Sequence, residues 1–141
     1  MKTLLLFAAL TLATAAACSS ASDTSDGGGA PETCPPYSPS LLSCPKGTDP
    51  PSYKNDVAPI IKLRCSPCHF EGGISDMIYD LSTHDNVSNA STSMLNQFAA
   101  CNMPPIHGNS LYGIAPGTVP GLTAAQLDTI VKWIGCGAPN N

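Results

Sequence analysis

Charge is scarce in this chain. Only 11% of its 141 residues are Asp, Glu, Lys or Arg. No block of Lys or Arg occurs anywhere, so the electrostatic footprint that nucleic acid or an anionic membrane surface requires is missing. No run of alternating apolar and polar residues makes a convincing strand, and no internal repeat is visible. One C-x-x-C is present, without a second copy and without an H-x3-H pair. With so few charges, Asn, Ser, Thr, Pro and Gly must keep most of the surface wet. The absences leave an all-α reading, a chain with no nucleic-acid partner, and one thiol motif to explain.

What is present begins at the N-terminus. Lys2 precedes an uncharged run over 4–17 that ends in Ala15, Ala16 and Ala17, followed by Cys18. A run this short with small residues at its end reads as a signal peptide over 1–17, not as a membrane span. Ala15-x-Ala17 fits an ordinary secretory cut. The string "AAAC" also resembles the lipobox of bacterial lipoproteins, in which the Cys is lipidated and becomes the first residue, with Ala15 here replacing the usual Leu. Cys18 is therefore expected to carry the lipid. The mature chain would then sit on the periplasmic face of a bacterial membrane, the outer membrane by preference, held to the bilayer by its acyl anchor. Loss of Lys2 moves the formal charge from −4 to −5.

Residues 18–33 follow the cut, and past Cys18 they are Ser, Asp and Gly with almost nothing apolar. Such a composition cannot bury a core and is expected to stay disordered. As a tether it spans on the order of 20 Å. Residues 34–51 hold six prolines and read as an irregular extension.

Seven cysteines in an exported chain need an account. Cys18 goes to lipid, and Cys65 and Cys68 go to the C-x-x-C motif. Four remain, and an oxidising compartment favours two disulfides. Three pairings are open. The one expected here is Cys34–Cys44, closing the loop "CPPYSPSLLSC", with Cys101–Cys136 pinning "CNMPP" to the end of the last helix. Four unbridged structural thiols is the competing reading.

From residue 52 onward the pattern turns helical. Asp56 can cap a helix and Pro59 is tolerable in its first turn. Val57, Ile60, Ile61, Arg64, Cys65 and Cys68 follow i, i+3, i+4 spacing, with Arg64 alone breaking the apolar stripe. Pro67 should kink or end this helix, and Gly72 and Gly73 break it. The last helix has a capping box at Thr123 and Gln126, and Leu122 and Leu127 at the staple positions. Leu127, Ile130, Val131 and Ile134 form its stripe, and Gly135 is placed to stop it. Between these ends, "LSTHDNV" and "TSMLNQFAA" read as short helices.

The chemistry lies in "RCSPCHFEGG", residues 64–73. Cys65 and Cys68 are three apart and project from one helical face, and His69 follows at once. Two thiols can add to the two vinyl groups of a planar macrocycle while the adjacent imidazole reaches its iron. C-x-x-C-H is the attachment signature of haem c. The domain over 52–141 is small enough that a core is marginal without help, and a covalently held haem serves as part of it. A dithiol redox site wants a βαβ context that is missing. A zinc site needs two more ligands, which His84, His107, Cys101 or Cys136 could supply.

With His69 as the fifth iron ligand, the sixth decides between carrier and catalyst. Met103, in "CNMPPIHG", is the best candidate. Pro104 biases it toward extended backbone, and Pro104 with Pro105 stiffens the loop. Met77 and Met94 read as core or surface residues. His107 competes as a distal ligand or haem-edge residue, and His84 reads as a solvated surface residue.

The chain at this point resembles the cytochrome c family. "CSPCH" (65–69), "MPP" (103–105) and "LTAAQLDTIVKWIGCGAPNN" (122–141) carry the likeness. It covers roughly 52–141. The resemblance implies a class I-like fold of a few helices around one haem c, with N- and C-terminal helices (57–66 and 124–134) crossing. It implies thioether links at Cys65 and Cys68, His69 as proximal ligand and Met103 as distal ligand. Its activity would be single-electron transfer with other redox proteins, not enzymatic turnover. Two alternatives stand beside it. One is a haem enzyme of peroxidase type using His107 near an open sixth position. The other is a non-redox haem sensor or structural module. The departures are a short Gly-rich stretch before the methionine, an Asn- and Ser-rich middle, and four extra cysteines.

Overall fold

Ser52 starts the first helical segment, not Asp56. Its hydroxyl accepts the Asn55 N–H at 3.2 Å, and Asp56 Oδ2 reaches back to accept the Ser52 N–H at 2.7 Å. These reciprocal bonds satisfy donors that a helix start leaves orphaned. The computed structural model describes residues 34–36, 42–44, 46–73 and 79–141. The expectations for the signal peptide, Cys18 and the tether, together with Met77, lie outside the described residues.

The chain runs through a π-helical turn, Tyr53–Val57, directly into α1, Ala58–Arg64. Then come α2, His84–Ala99, a 3-10 turn, Ser110–Tyr112, and α3, Ala124–Gly135. Among the described residues the regular structure is helical. The sole β feature among the described residues is an isolated bridge between Asn109 and Ile114. The all-α expectation holds, and no described helix is long and apolar enough to cross a membrane.

α3 follows its sequence signals closely. Thr123 and Gln126 form the capping box, with bonds of 3.2 and 3.0 Å. The staple leucines, Leu122 and Leu127, are both buried. The helix continues through Gly135, and the left-handed residue that ends it is Gly137, at φ +85°. The middle of the chain differs from expectation. One sixteen-residue helix stands where two short ones were read, and Val87, Ala90, Met94 and Phe98 bury one continuous face of it.

The core forms where α2 and the Tyr53–Val57 turn both pack on α3. Trp133 is fully buried, and its indole N–H donates to the Pro139 carbonyl at 2.9 Å. The N-terminal segment thus meets α3 chiefly through its first turn. Ser52 Oγ–H and the Lys54 N–H both donate to the Asn141 carbonyl, at 2.8 and 3.2 Å. Those bonds join the two ends of the 52–141 region.

The disulfide pairing differs from the expected one. Cys34 joins Cys101 and Cys44 joins Cys136, with Cα–Cα separations of 5.7 and 4.5 Å. Neither Cys34–Cys44 nor Cys101–Cys136 forms. The expected pairing minimised one loop. The observed pairing follows from the extension being laid along the folded helices, one thiol beside the 101–105 loop and the other beside the end of α3. Each bridge spans a long stretch, 67 and 92 residues, and longer closed loops restrict the unfolded chain more strongly.

Candidate functional site

α1 ends at Arg64 because Pro67 supplies no backbone donor to carry it further. The motif that follows is a set of tight turns, with Cys68 and His69 both donating their N–H groups to the Cys65 carbonyl, at 3.1 and 2.9 Å. Cys65 and Cys68 are thus presented from a turn, not from a continuous helix. Gly73 closes it. A Cβ there would lie 2.8 Å from the Cys68 carbonyl oxygen and 2.7 Å from the Phe70 ring.

Cys65, Cys68, His69 and Met103 all line one open cleft of about 250 Å³. Its walls are mainly apolar, with Leu81 and Ile114 among them and Met94 and Phe98 contributed by α2. Met94 is in the core as read, but it also reaches this wall. Among the described residues Cys65 and Cys68 are the cysteines outside the two disulfides.

His69 is clasped from both sides by the segment after the turn. Its Nδ1 lies 2.9 Å from the Tyr79 carbonyl oxygen, and its own carbonyl accepts the Leu81 N–H at 3.0 Å. A carbonyl oxygen only accepts, so Nδ1 carries the proton. In the neutral ring the lone pair is then on Nε2. Histidines that hold a metal ordinarily have their other ring N–H tied to a backbone carbonyl or carboxylate in this way, which fixes tautomer and orientation. The Tyr79 hydroxyl, 3.0 Å from Ser93 Oγ, anchors the clasp to α2.

Burial pushes the Cys65 thiol up to about 12. The nearby Cys68 adds to the rise and Arg64 pulls against it. Among the described residues no group of three or more His, Cys, Asp or Glu side chains is arranged to hold a metal ion, so the further ligands a zinc site needs do not converge here.

Arg64 was legible only as the charge that interrupts an apolar stripe. It lines the cleft, and its Nε is buried without a hydrogen-bond partner, alone in this among the side-chain nitrogens and oxygens of the described residues. A buried guanidinium N–H lacking an acceptor is costly.

The other two histidines are not in the cleft lining. His107 is exposed, with Nε2 3.9 Å from Cys101 Sγ. His84 is not a solvated surface residue. Its side chain is only 16% exposed, and its ring packs edge-on to Tyr53 and Trp133 at centroid distances of 4.8 and 5.9 Å. Nδ1 meets Asp85 Oδ1 at 2.8 Å and Nε2 meets the Ala138 carbonyl at 3.0 Å. Both partners accept, so in the protonated ring both nitrogens donate. The bond to Asp85, then that to Ala138, holds its pKa above the ordinary imidazole value against the opposing effect of burial. No family model, curated protein or solved structure matches the chain.

Proposed function

We propose that this chain is a mono-haem c-type cytochrome of class I-like fold that passes single electrons. Cys65 and Cys68 would carry the thioether links, His69 the proximal iron bond and Met103 the distal one. The observation that carries the reading is the convergence of these four residues on one mainly apolar cleft, with Met103 arriving from 34 positions beyond His69.

The residues present fit an iron porphyrin. Two thiols stand outside the disulfide set beside each other. The imidazole next to them has its Nδ1 proton committed to Tyr79, which leaves Nε2 as a ligand. The thioether of Met103 lines the same cleft. The buried Arg64 Nε lacks an acceptor, and a carboxylate on the macrocycle would supply one. When bound, the haem supplies a reversible one-electron couple, tuned by its axial ligands and by the burial around it.

The protein residues keep that couple simple. The bond from Nδ1 to the Tyr79 carbonyl holds the ring orientation of His69, the Leu81 bond holds its backbone, and Pro104 and Pro105 limit the freedom of the methionine loop. Ligands that stay in place leave little to reorganise between oxidation states. Tyr79 and Tyr112 line the cleft and remain 41% and 38% exposed, and they offer a contact surface to another redox protein. The enzymatic alternative relies on His107 as a distal acid–base group, and His107 does not line the cleft. Export, lipidation at Cys18 and a place on the periplasmic face of a bacterial membrane belong to the same proposal.

The test is the absorption spectrum of protein exported from a host with a working haem-attachment system. A c-type pyridine haemochrome is expected. The ferric protein should also show the weak long-wavelength charge-transfer band of thioether-ligated iron. Cys65→Ala should weaken or abolish covalent haem, and Met103→Ala should remove the band while covalent haem remains. Colourless exported protein would refute the proposal. Colour without the band would refute the role of Met103 alone.

A further inference from the structure

We infer that the stretch at Cys34 and Pro35 is a strap, fastened by the Cys34–Cys101 bridge, that positions Met103 and resists its withdrawal from the cleft. The inference rests on Met103 being the sixth ligand. It assigns positioning roles to two residues outside the 52–141 region.

Met103 has two neighbourhoods. On one side it lines the cleft with His69. On the other it borders a crevice of about 10 Å³ whose walls include Cys34, Pro35, Phe98 and the staple leucines, Leu122 and Leu127. A crevice of that size holds about one water at most, so the strap and the buried end of α3 leave the methionine little room to retreat. Cys34 is bonded to Cys101, two residues before Met103.

The loop is also held at both ends by its own backbone. The Cys101 N–H donates to Phe98 and the Asn102 N–H to Gln97, at 3.1 and 2.9 Å. On the far side the Ile106 carbonyl accepts the Gly117 N–H at 2.9 Å. Cys101 itself is left-handed, at φ +57°, a conformation that a residue with a Cβ adopts reluctantly. The bridge fastens the chain at that position. Pulling Met103 out would require Cys101 to move, and Cys101 carries the strap with it. Cys44–Cys136, at the end of α3, makes no such connection to the loop and serves as the internal control.

The experiment measures imidazole binding to the ferric holoprotein. An exogenous imidazole enters only when Met103 has left, so its apparent affinity reports the population of the withdrawn state. In Cys34→Ala/Cys101→Ala that affinity should rise about tenfold or more, as the competent fraction rises. Cys44→Ala/Cys136→Ala should match the wild type. Pro35→Gly keeps the bridge but thins the crevice wall, and should give a smaller rise in the same direction. Wild-type affinity in the Cys34→Ala/Cys101→Ala protein, or an equal rise in both double variants, overturns the inference. If that protein does not fold, wild-type affinity in Pro35→Gly overturns it instead. A wild-type protein without the thioether charge-transfer band defeats the ligation reading and this inference together. A band that is present, with imidazole affinities that do not respond, defeats the strap alone.

Discussion

Replacing His84 with Phe separates the two things that His84 does. The ring contacts to Tyr53 and Trp133 survive in a side chain of similar shape, while both N–H donors vanish. The Ala138 carbonyl, on a residue that is only 8% exposed, then loses its partner. A bond from a charged donor to a carbonyl contributes about 1.5–2 kcal/mol. The pair with Asp85 adds only about 0.5 kcal/mol, because the Asp85 side chain is 86% exposed and screened by water. The expected loss in acid is therefore about 2 kcal/mol, or roughly 10 °C in melting temperature for a region of this size.

The loss depends on pH, and its sign follows from the raised pKa of His84. A group whose folded pKa lies above its unfolded value contributes most below the unfolded value, about 6.5, and loses that contribution as pH rises through the folded value. Above that point the neutral ring keeps one donor, worth about 1 kcal/mol if it stays on Ala138. Urea unfolding of wild type and His84→Phe between pH 5 and 9 should thus show two curves that converge toward high pH. The groups around the ring are Asp85, Tyr53, Trp133 and the Ala138 carbonyl. Of these, Tyr53 has its pKa raised by burial and by Asp85 and stays neutral through the window. Parallel curves, or curves that separate toward high pH, would refute the doubly donating imidazole.

Two further outcomes test the frame around the site. Gly108 sits at φ +80°, and a Cβ there would lie 2.7 Å from the Ile114 carbonyl oxygen and 2.8 Å from the Pro116 nitrogen. Gly108→Ala should cost about 1–3 kcal/mol in urea unfolding, and an unchanged midpoint would contradict the packing of this loop. Tyr79→Phe removes the bond to Ser93 and should cost about 0.5–1 kcal/mol; on the proposed haem reading it should leave the spectrum unchanged, because the His69 ring is held by the Tyr79 backbone carbonyl and not by the Tyr79 ring. A shifted Soret band would contradict that division of labour.

α3 was legible because its signals are local and agree with one another. Thr123, Gln126, Leu122 and Leu127 specify where it starts, and a single apolar stripe runs from there. α2 was less legible because its middle, Ser88 to Thr92, is small and polar, with weak helix preference. Read alone, that stretch divides "LSTHDNV" from "TSMLNQFAA". Tertiary burial of Val87, Ala90, Met94 and Phe98 along one face carries the helix across it. At the first segment Asp56 was read as the cap, and Ser52 was not singled out. The structure uses both in one reciprocal pair, which fixes the start four residues earlier than Asp56 alone would.

At the candidate site the side-chain chemistry was legible and the backbone chemistry was not. Cys65, Cys68, His69 and Met103 announce themselves by type and spacing. The Tyr79 carbonyl that selects the tautomer of His69 has no signature in side-chain identity, because every residue carries a carbonyl. Arg64 left a trace, a cation on an otherwise apolar stripe directly before the first thiol. The disulfides were misread for a related reason. Pairing within "CPPYSPSLLSC" minimises loop closure in an unstructured chain, but native pairing is decided by which thiols the fold brings to bonding distance. Here the fold lays the extension against the methionine loop and the end of α3. The same contacts that overturn the short-loop pairing give the extension its role, since a thiol bonded within its own loop could not restrain Met103. Two of the four extra cysteines, Cys34 and Cys101, a departure when set beside the family resemblance, are thereby joined to the loop that carries the ligand the resemblance points to.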